Sequence, residues 1–147
     1  MPIGGYAHRL IKSHVLVAIA RSLPPASMLT AEASLQLADD VLVIPDLAVI
    51  TRTAFKPGPD NFTQPSEVQL AIEVAASSLR YDRGLKARLY ARHRVGEFWV
   101  IDANERAVWV HTGPTGDSWS SVVQCGPQDA LTTPVLPGFS IRLGDIE

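Results

Sequence analysis

Apolar positions along the chain recur at two spacings, and the change from one to the other divides it into elements. Between positions 8 and 23, Ile11, Val15, Ala18 and Ile19 return at helical intervals, and Pro24–Pro25 stops the pattern. Strands are predicted at 32–37 (EASLQL) and at 46–50 (DLAVI), the second reached through Pro45. The stretch KPGPDNFTQPS, 56–66, is dense in turn residues and reads as a loop. EVQLAIEV at 67–74 alternates as a strand, and a helix is expected over 81–93. Three strands follow: EFWVID at 97–102, RAVWVHT at 106–112 and SWSSVVQC at 118–125. TGPTGDS supplies the hairpin turn between the last two. The tail from Pro134, with two prolines, is expected to be irregular with one short strand.

Helix, strands, helix, strands is the order of an α/β fold in which a mixed β-sheet is flanked by helices. No repeat or linker divides the 147 residues, so one domain spanning 1–147 is expected, long enough to bury a core.

Composition narrows the classes. The chain is 46% hydrophobic and 19% charged, which is ordinary for a globular protein and argues against wholesale disorder. A net charge of -2 excludes a surface basic all over, though not a local basic patch. Cys125 is the only cysteine, so no internal disulfide can form, and no Cys/His spacing resembles a zinc site. The apolar run Val15 to Ala20, closed by Arg21, is shorter than a signal-peptide core, and no run is long enough to span a bilayer. A soluble cytoplasmic protein is expected, with no membrane partner.

Candidate chemistry begins where the strand pattern is broken. In 68–74, Val68, Leu70, Ile72 and Val74 point one way and Gln69, Ala71 and Glu73 the other, so a carboxylate sits inside a buried strand. It needs a cation or a donor close by. Asp46, opening the preceding strand, is the natural second acid, because neighbouring strands lie about 5 Å apart. Two carboxylates that close repel, and a divalent ion reverses the sign; oxygen ligation with positions left for water suits Mg²⁺ or Mn²⁺. On the following helix, Tyr81, Leu85 and Leu89 project as the apolar stripe. Asp82 and Lys86 share its flank, with Lys86 able to reach inward. Arg80, Arg83, Lys86, Arg88, Arg92 and Arg94 crowd the same segment, six of the chain's thirteen Lys and Arg. Beside a metal site they could steer a polyanion, with Arg83 and Arg88 on backbone phosphates and Gln69 assisting from the strand.

Each residue alone also has an ordinary structural reading. Glu73 could form a plain ion pair, Asp46 a turn after proline, and Asp82 with Lys86 an i,i+4 helix pair or a cap. A solvated helix face explains the arginines equally well. Only Asp46, Glu73 and Lys86 together favour a function.

The same residues carry a family resemblance. PDLAVI, then AIEVAASSLRYDRGLKARLYARHRVGEFWVID, then DALTTPVLPGFSI resemble the Uma-two family of bacterial restriction endonuclease-like proteins, in the PD-(D/E)XK nuclease superfamily, from about His8 to the C-terminus. The resemblance implies a restriction endonuclease-like mixed sheet flanked by helices. Asp46 would be the aspartate of the PD motif and Glu73 the acid of the third strand. The superfamily lysine usually follows that acid by two residues; Ala75 stands there, and the resemblance moves the lysine to Lys86. His8 matches a histidine at the start of the family's first helix and is expected to be accessory, as is Asp82. The N-terminal strand pair common in the family is expected to be missing. Ile44 stands where many relatives carry a further acid.

The resemblance thus implies a Mg²⁺- or Mn²⁺-dependent endonuclease. Asp46 and Glu73 would be its metal ligands and Lys86 would stabilise charge, with nucleic acid as substrate, DNA in preference to RNA. Enzymes of this kind commonly act as homodimers. The rival expectation is a binding module with the same fold and weakened chemistry, for nucleic acid or protein. His14, His93 and His111 find no partner from sequence.

Overall fold

A computed structural model describes residues 5–54 and 62–147. Most of the loop expected at 56–66 therefore lies outside the described residues. Its last part forms a short 3-10 turn, Pro65–Glu67, with a capping box between Gln64 and Glu67.

Helix α1 (Tyr6–Arg21) comes first among the described elements and buries Ile11, Val15 and Ile19. Strands β1 (Ser27–Ala31), β2 (Leu35–Ala38), β3 (Val41–Val43) and β4 (Leu47–Thr51) follow. The strand expected at 32–37 forms only over Leu35–Ala38, as β2, and β1 is a further strand ahead of it. The chain breaks between them at Glu32, whose φ of 57° is incompatible with continued extension. β5 (Val68–Ala75) leads into α2 (Leu79–Tyr81), a π-helical turn (Asp82–Lys86) and α3 (Ala87–Arg92). β6 (Glu97–Asp102), β7 (Ala107–Thr115) and β8 (Ser118–Cys125) complete the main sheet.

The six-stranded sheet has the order β1-β4-β5-β6-β7-β8, while β2 and β3 form a separate ribbon. Among the described strands only β5 and β6 pair in parallel, and the helical segment from Leu79 to Arg92 is the crossover that such a pair requires. It returns across the sheet next to the C-terminal end of β5.

Two apolar layers cover the sheet. Ile11, Val15 and Ile19 of α1 pack with Leu70, Ile72, Val74, Trp99 and Ile101 and with Leu136 and Phe139 of the tail. The opposite layer joins Leu35, Leu37 and Val43 of the ribbon to Ala48, Ala71, Phe98 and Tyr90. Strand β5 is not a strict alternation. Val49 pairs with Leu70 but Ile50 with Val68, and this register shift places Val68 in the layer of Ala71 rather than that of Leu70. The tail is tied down by a buried acid. Glu97 accepts from Trp99 Nε1 at 2.7 Å and from Thr133 Oγ1 at 2.9 Å, so both oxygens are satisfied and the segment after Pro127 is fastened over the sheet.

Among the described residues no helix is long and apolar enough to cross a membrane.

Candidate active site

The antiparallel register of β4 and β5 brings the two predicted acids together. Leu47 pairs with Ile72 and Ala48 with Ala71, so one further step sets Asp46 opposite Glu73. The Val74 N–H donates to Asp46 Oδ2 at 2.8 Å, fixing this carboxylate to the backbone of the neighbouring strand. Asp46 Oδ1 lies 3.2 Å from His8 Nε2 and 3.6 Å from Lys12 Nζ, both on α1. Since a carboxylate oxygen only accepts, His8 donates from Nε2.

Glu73 is buried among Ala71, Ala75 and Tyr90. Its Oε2 accepts from Tyr90 Oη at 3.1 Å and lies 3.0 Å from Lys86 Nζ. Lys86 in turn stands 4.0 Å from Asp82 Oδ1, and Ser78 Oγ donates to Asp82 Oδ2 at 2.9 Å. Burial pushes the Glu73 carboxyl up to about 7, against the pull of Lys86, and the charges of Asp46 and Asp82 push the same way. Burial also raises Asp82, opposed by the Ser78 hydrogen bond and by Lys86. Burial works against the Lys86 charge too, but Glu73 and Asp82 outweigh it and hold the ammonium above the ordinary lysine value. The ion pair is lopsided because its acid is 6% exposed and its amine 18%. Tyr90 is raised by burial and then by Glu73, so its hydroxyl stays protonated and donates.

The helix that delivers Lys86 is turned relative to the expected stripe. Tyr81 and Leu85 are 51% and 54% exposed, whereas Asp82, Ala87, Tyr90 and Ala91 are buried. A uniform projection at about 100° per residue fails here because the five-residue π turn advances the chain differently and carries Asp82 and Lys86 inward.

Other predicted residues lie elsewhere. Gln69 accepts from Ser27 Oγ at 2.6 Å, four positions along β5 from Glu73 and engaged with β1. The Arg83 guanidinium stacks 4.0 Å from the Trp109 ring centre, and Arg88 is exposed. His111, expected without a partner, is buried, and its Nδ1 donates to the Phe98 and Trp109 carbonyls at 3.0 and 3.1 Å, as a core histidine does. Burial lowers its pKa and keeps it neutral. A groove of about 710 Å³ runs along α1 past His14, Val17 and Arg21 and includes none of the clustered acids.

Sequence reasoning missed Tyr90, Lys12 and Ser78. The signal for Tyr90 was there, since it stands eight residues after Asp82 and four after Lys86 on one helical face. Lys12 likewise follows His8 by four residues.

The donor set bears on a metal ion. Among the described residues no three His, Cys, Asp or Glu side chains form a metal cage. What converges is a pair of carboxylates, and Mg²⁺ characteristically takes one or two carboxylates while keeping waters and substrate phosphates. The raised Glu73 carboxyl, pressed by two like charges, is a site that a cation would relieve. The residues present fit such an ion.

The sequence profile described as "Putative restriction endonuclease", that of the Uma2 family, matches residues 1–144. The chain belongs to the Uma2 family. A crystal structure described as "a putative nuclease belonging to DUF820" from Anabaena variabilis superposes with a TM-score of 0.74. Its sequence is 17% identical, and the match covers 99% of this chain and 82% of that one. At this identity the likeness speaks for the fold, and it agrees with the mixed sheet flanked by helices. No curated protein matches the chain.

Proposed function

We propose that this member of the Uma2 family is a divalent-metal-dependent nuclease that hydrolyses phosphodiester bonds, DNA in preference to RNA, in the cytoplasm. The observation that carries the reading is the meeting of Asp46 and Glu73 from paired strands with the ammonium of Lys86 3.0 Å from one of the acids.

Asp46 and Glu73 would hold Mg²⁺ or Mn²⁺. Such an ion supplies Lewis acidity toward the phosphoryl oxygens and a water molecule. The side chains around it do the positioning. Val74 N–H and His8 fix the two oxygens of Asp46, and Tyr90 fixes Glu73. Lys86, braced by Asp82, holds a positive charge where negative charge grows as water attacks phosphorus and the P–O bond to the leaving oxygen breaks. Arg88, exposed on α3, would contact backbone phosphates. Arg83 has its face on Trp109, which leaves the N–H edge of the guanidinium able to donate. Two copies acting together would address both strands of a duplex.

Titration of Mg²⁺ or Mn²⁺ against generic nucleic acids, comparing wild type with Lys86→Ala and Asp46→Asn, tests the reading. Metal-dependent cleavage confined to wild type supports it; equal cleavage by all three proteins marks a contaminant and ends it.

A further inference from the structure

The site holds a second lysine that the phosphodiesterase chemistry just described leaves without a task. Lys12 Nζ lies 2.6 Å from Glu32 Oε2 and 3.6 Å from Asp46 Oδ1. Its side chain is 15% exposed, whereas that of Glu32 is 70% exposed. Glu32 itself is held at φ 57°, a left-handed conformation that a glutamate seldom adopts, and its backbone N–H bonds the Asp46 carbonyl at 3.2 Å. The fold therefore places an exposed acid against a sheltered amine at the rim of the carboxylate pair, on the side opposite Lys86.

We propose that Lys12 is a substrate-phosphate ligand held in reserve by Glu32, which occupies the ammonium until a phosphate of the nucleic acid displaces it. The proposal rests on the nuclease reading of the same site. An ion pair with one partner mostly in water contributes little, so Glu32 can be released at small cost. Phosphate offers the ammonium a charge-assisted hydrogen bond in a more sheltered place. Three donors on one ammonium allow Lys12 to keep facing Asp46 while it exchanges Glu32 for the incoming anion. A phosphate would then be held from α1 by Lys12 and from the π turn by Lys86. Glu32, carrying like charge, competes with every phosphate that approaches and so sets how tightly substrate binds.

Binding of a fluorescein-labelled oligonucleotide, measured by anisotropy in EDTA so that nothing is cleaved, tests this across a salt series. Glu32→Gln should tighten binding about 3- to 10-fold, and Lys12→Met should weaken it by a similar factor. Lys12→Met should also lower the slope of log K against log salt by about 0.7–0.9, one phosphate contact, a change that a merely structural lysine would not produce. Lys12→Arg should keep the slope, which separates loss of charge from loss of fold. In Glu32→Gln/Lys12→Met the tightening should vanish, because Glu32 acts through Lys12. Tightening of equal size in both backgrounds would show Glu32 acting as a diffuse charge and overturn the proposal, as would a Lys12→Met slope equal to wild type. Wild type that cleaves nucleic acid but is indifferent to Glu32→Gln sinks this proposal alone. Wild type that neither binds nor cleaves sinks the nuclease reading and this one with it.

Discussion

Lys86 and Glu73 stand thirteen positions apart on different elements, yet the ammonium of one lies 3.0 Å from Oε2 of the other. The same oxygen accepts from Tyr90. This acid is thus held by two donors from one helical segment while it faces a second acid across the sheet.

Removing the amine should damage chemistry more than affinity. Lys86→Ala is expected to lower kcat by about 10²–10³-fold, the cost of losing one preorganised charge-stabilising group, with KM changed far less. Steady-state cleavage of a labelled duplex in Mn²⁺ measures both constants.

The raised Glu73 carboxyl makes stability depend on pH, with the sign set by the direction of the shift. Its folded value, about 7, lies above the unfolded 4.5. The folded state therefore prefers the proton. Stability is greatest below the unfolded value and falls as pH rises from about 4.5 to 7, by up to about 3 kcal/mol. Glu73→Gln abolishes this slope and should melt several degrees higher than wild type at pH 8, with little difference at pH 4.5. Thermal melts at the two pH values decide it, and a variant less stable than wild type at pH 8 would instead mark a purely structural ion-pair cluster.

Loss of the Tyr90 hydroxyl removes a donor to the ionised acid. Tyr90→Phe should shift the acidic limb of the pH–rate profile upward by about one unit and lower activity about 3- to 10-fold at neutral pH. The profile of kcat/KM between pH 5 and 9 reads this directly.

Metal binding should be visible without turnover. At ten times its Kd, Mn²⁺ stabilises the folded state by about 1.4 kcal/mol, which raises the melting temperature of wild type by about 3–5 °C. Asp46→Asn and Glu73→Gln should each lose most of that rise. Differential scanning fluorimetry with and without Mn²⁺ provides the measurement.

Much of this architecture was legible in the residues. Strands β6 and β8 begin and end where apolar density and turn residues place them, and Glu73 announced itself as a carboxylate in an otherwise apolar strand. What escaped notice depends on geometry that a one-dimensional pattern does not carry. β1, with Ser27 and Thr30 among its five residues, lacks a strand's apolar signature and exists because β4 offers it an edge. The face of the second helix was misread because the projection assumed a regular helix, whereas the π turn redirects Asp82 and Lys86. Lys12 and Tyr90 look like ordinary helix residues until the crossover and α1 are docked on either side of the sheet.

The bond from the Val74 amide to Asp46 has a temporal consequence. One oxygen of this acid is positioned by a peptide group 28 residues away, and that peptide group is in place only once β4 and β5 have paired in register. A nascent or partly unravelled chain carries both acids without their alignment. On the nuclease reading, competence to cut would arise only with closure of the central strands and would be lost whenever they part.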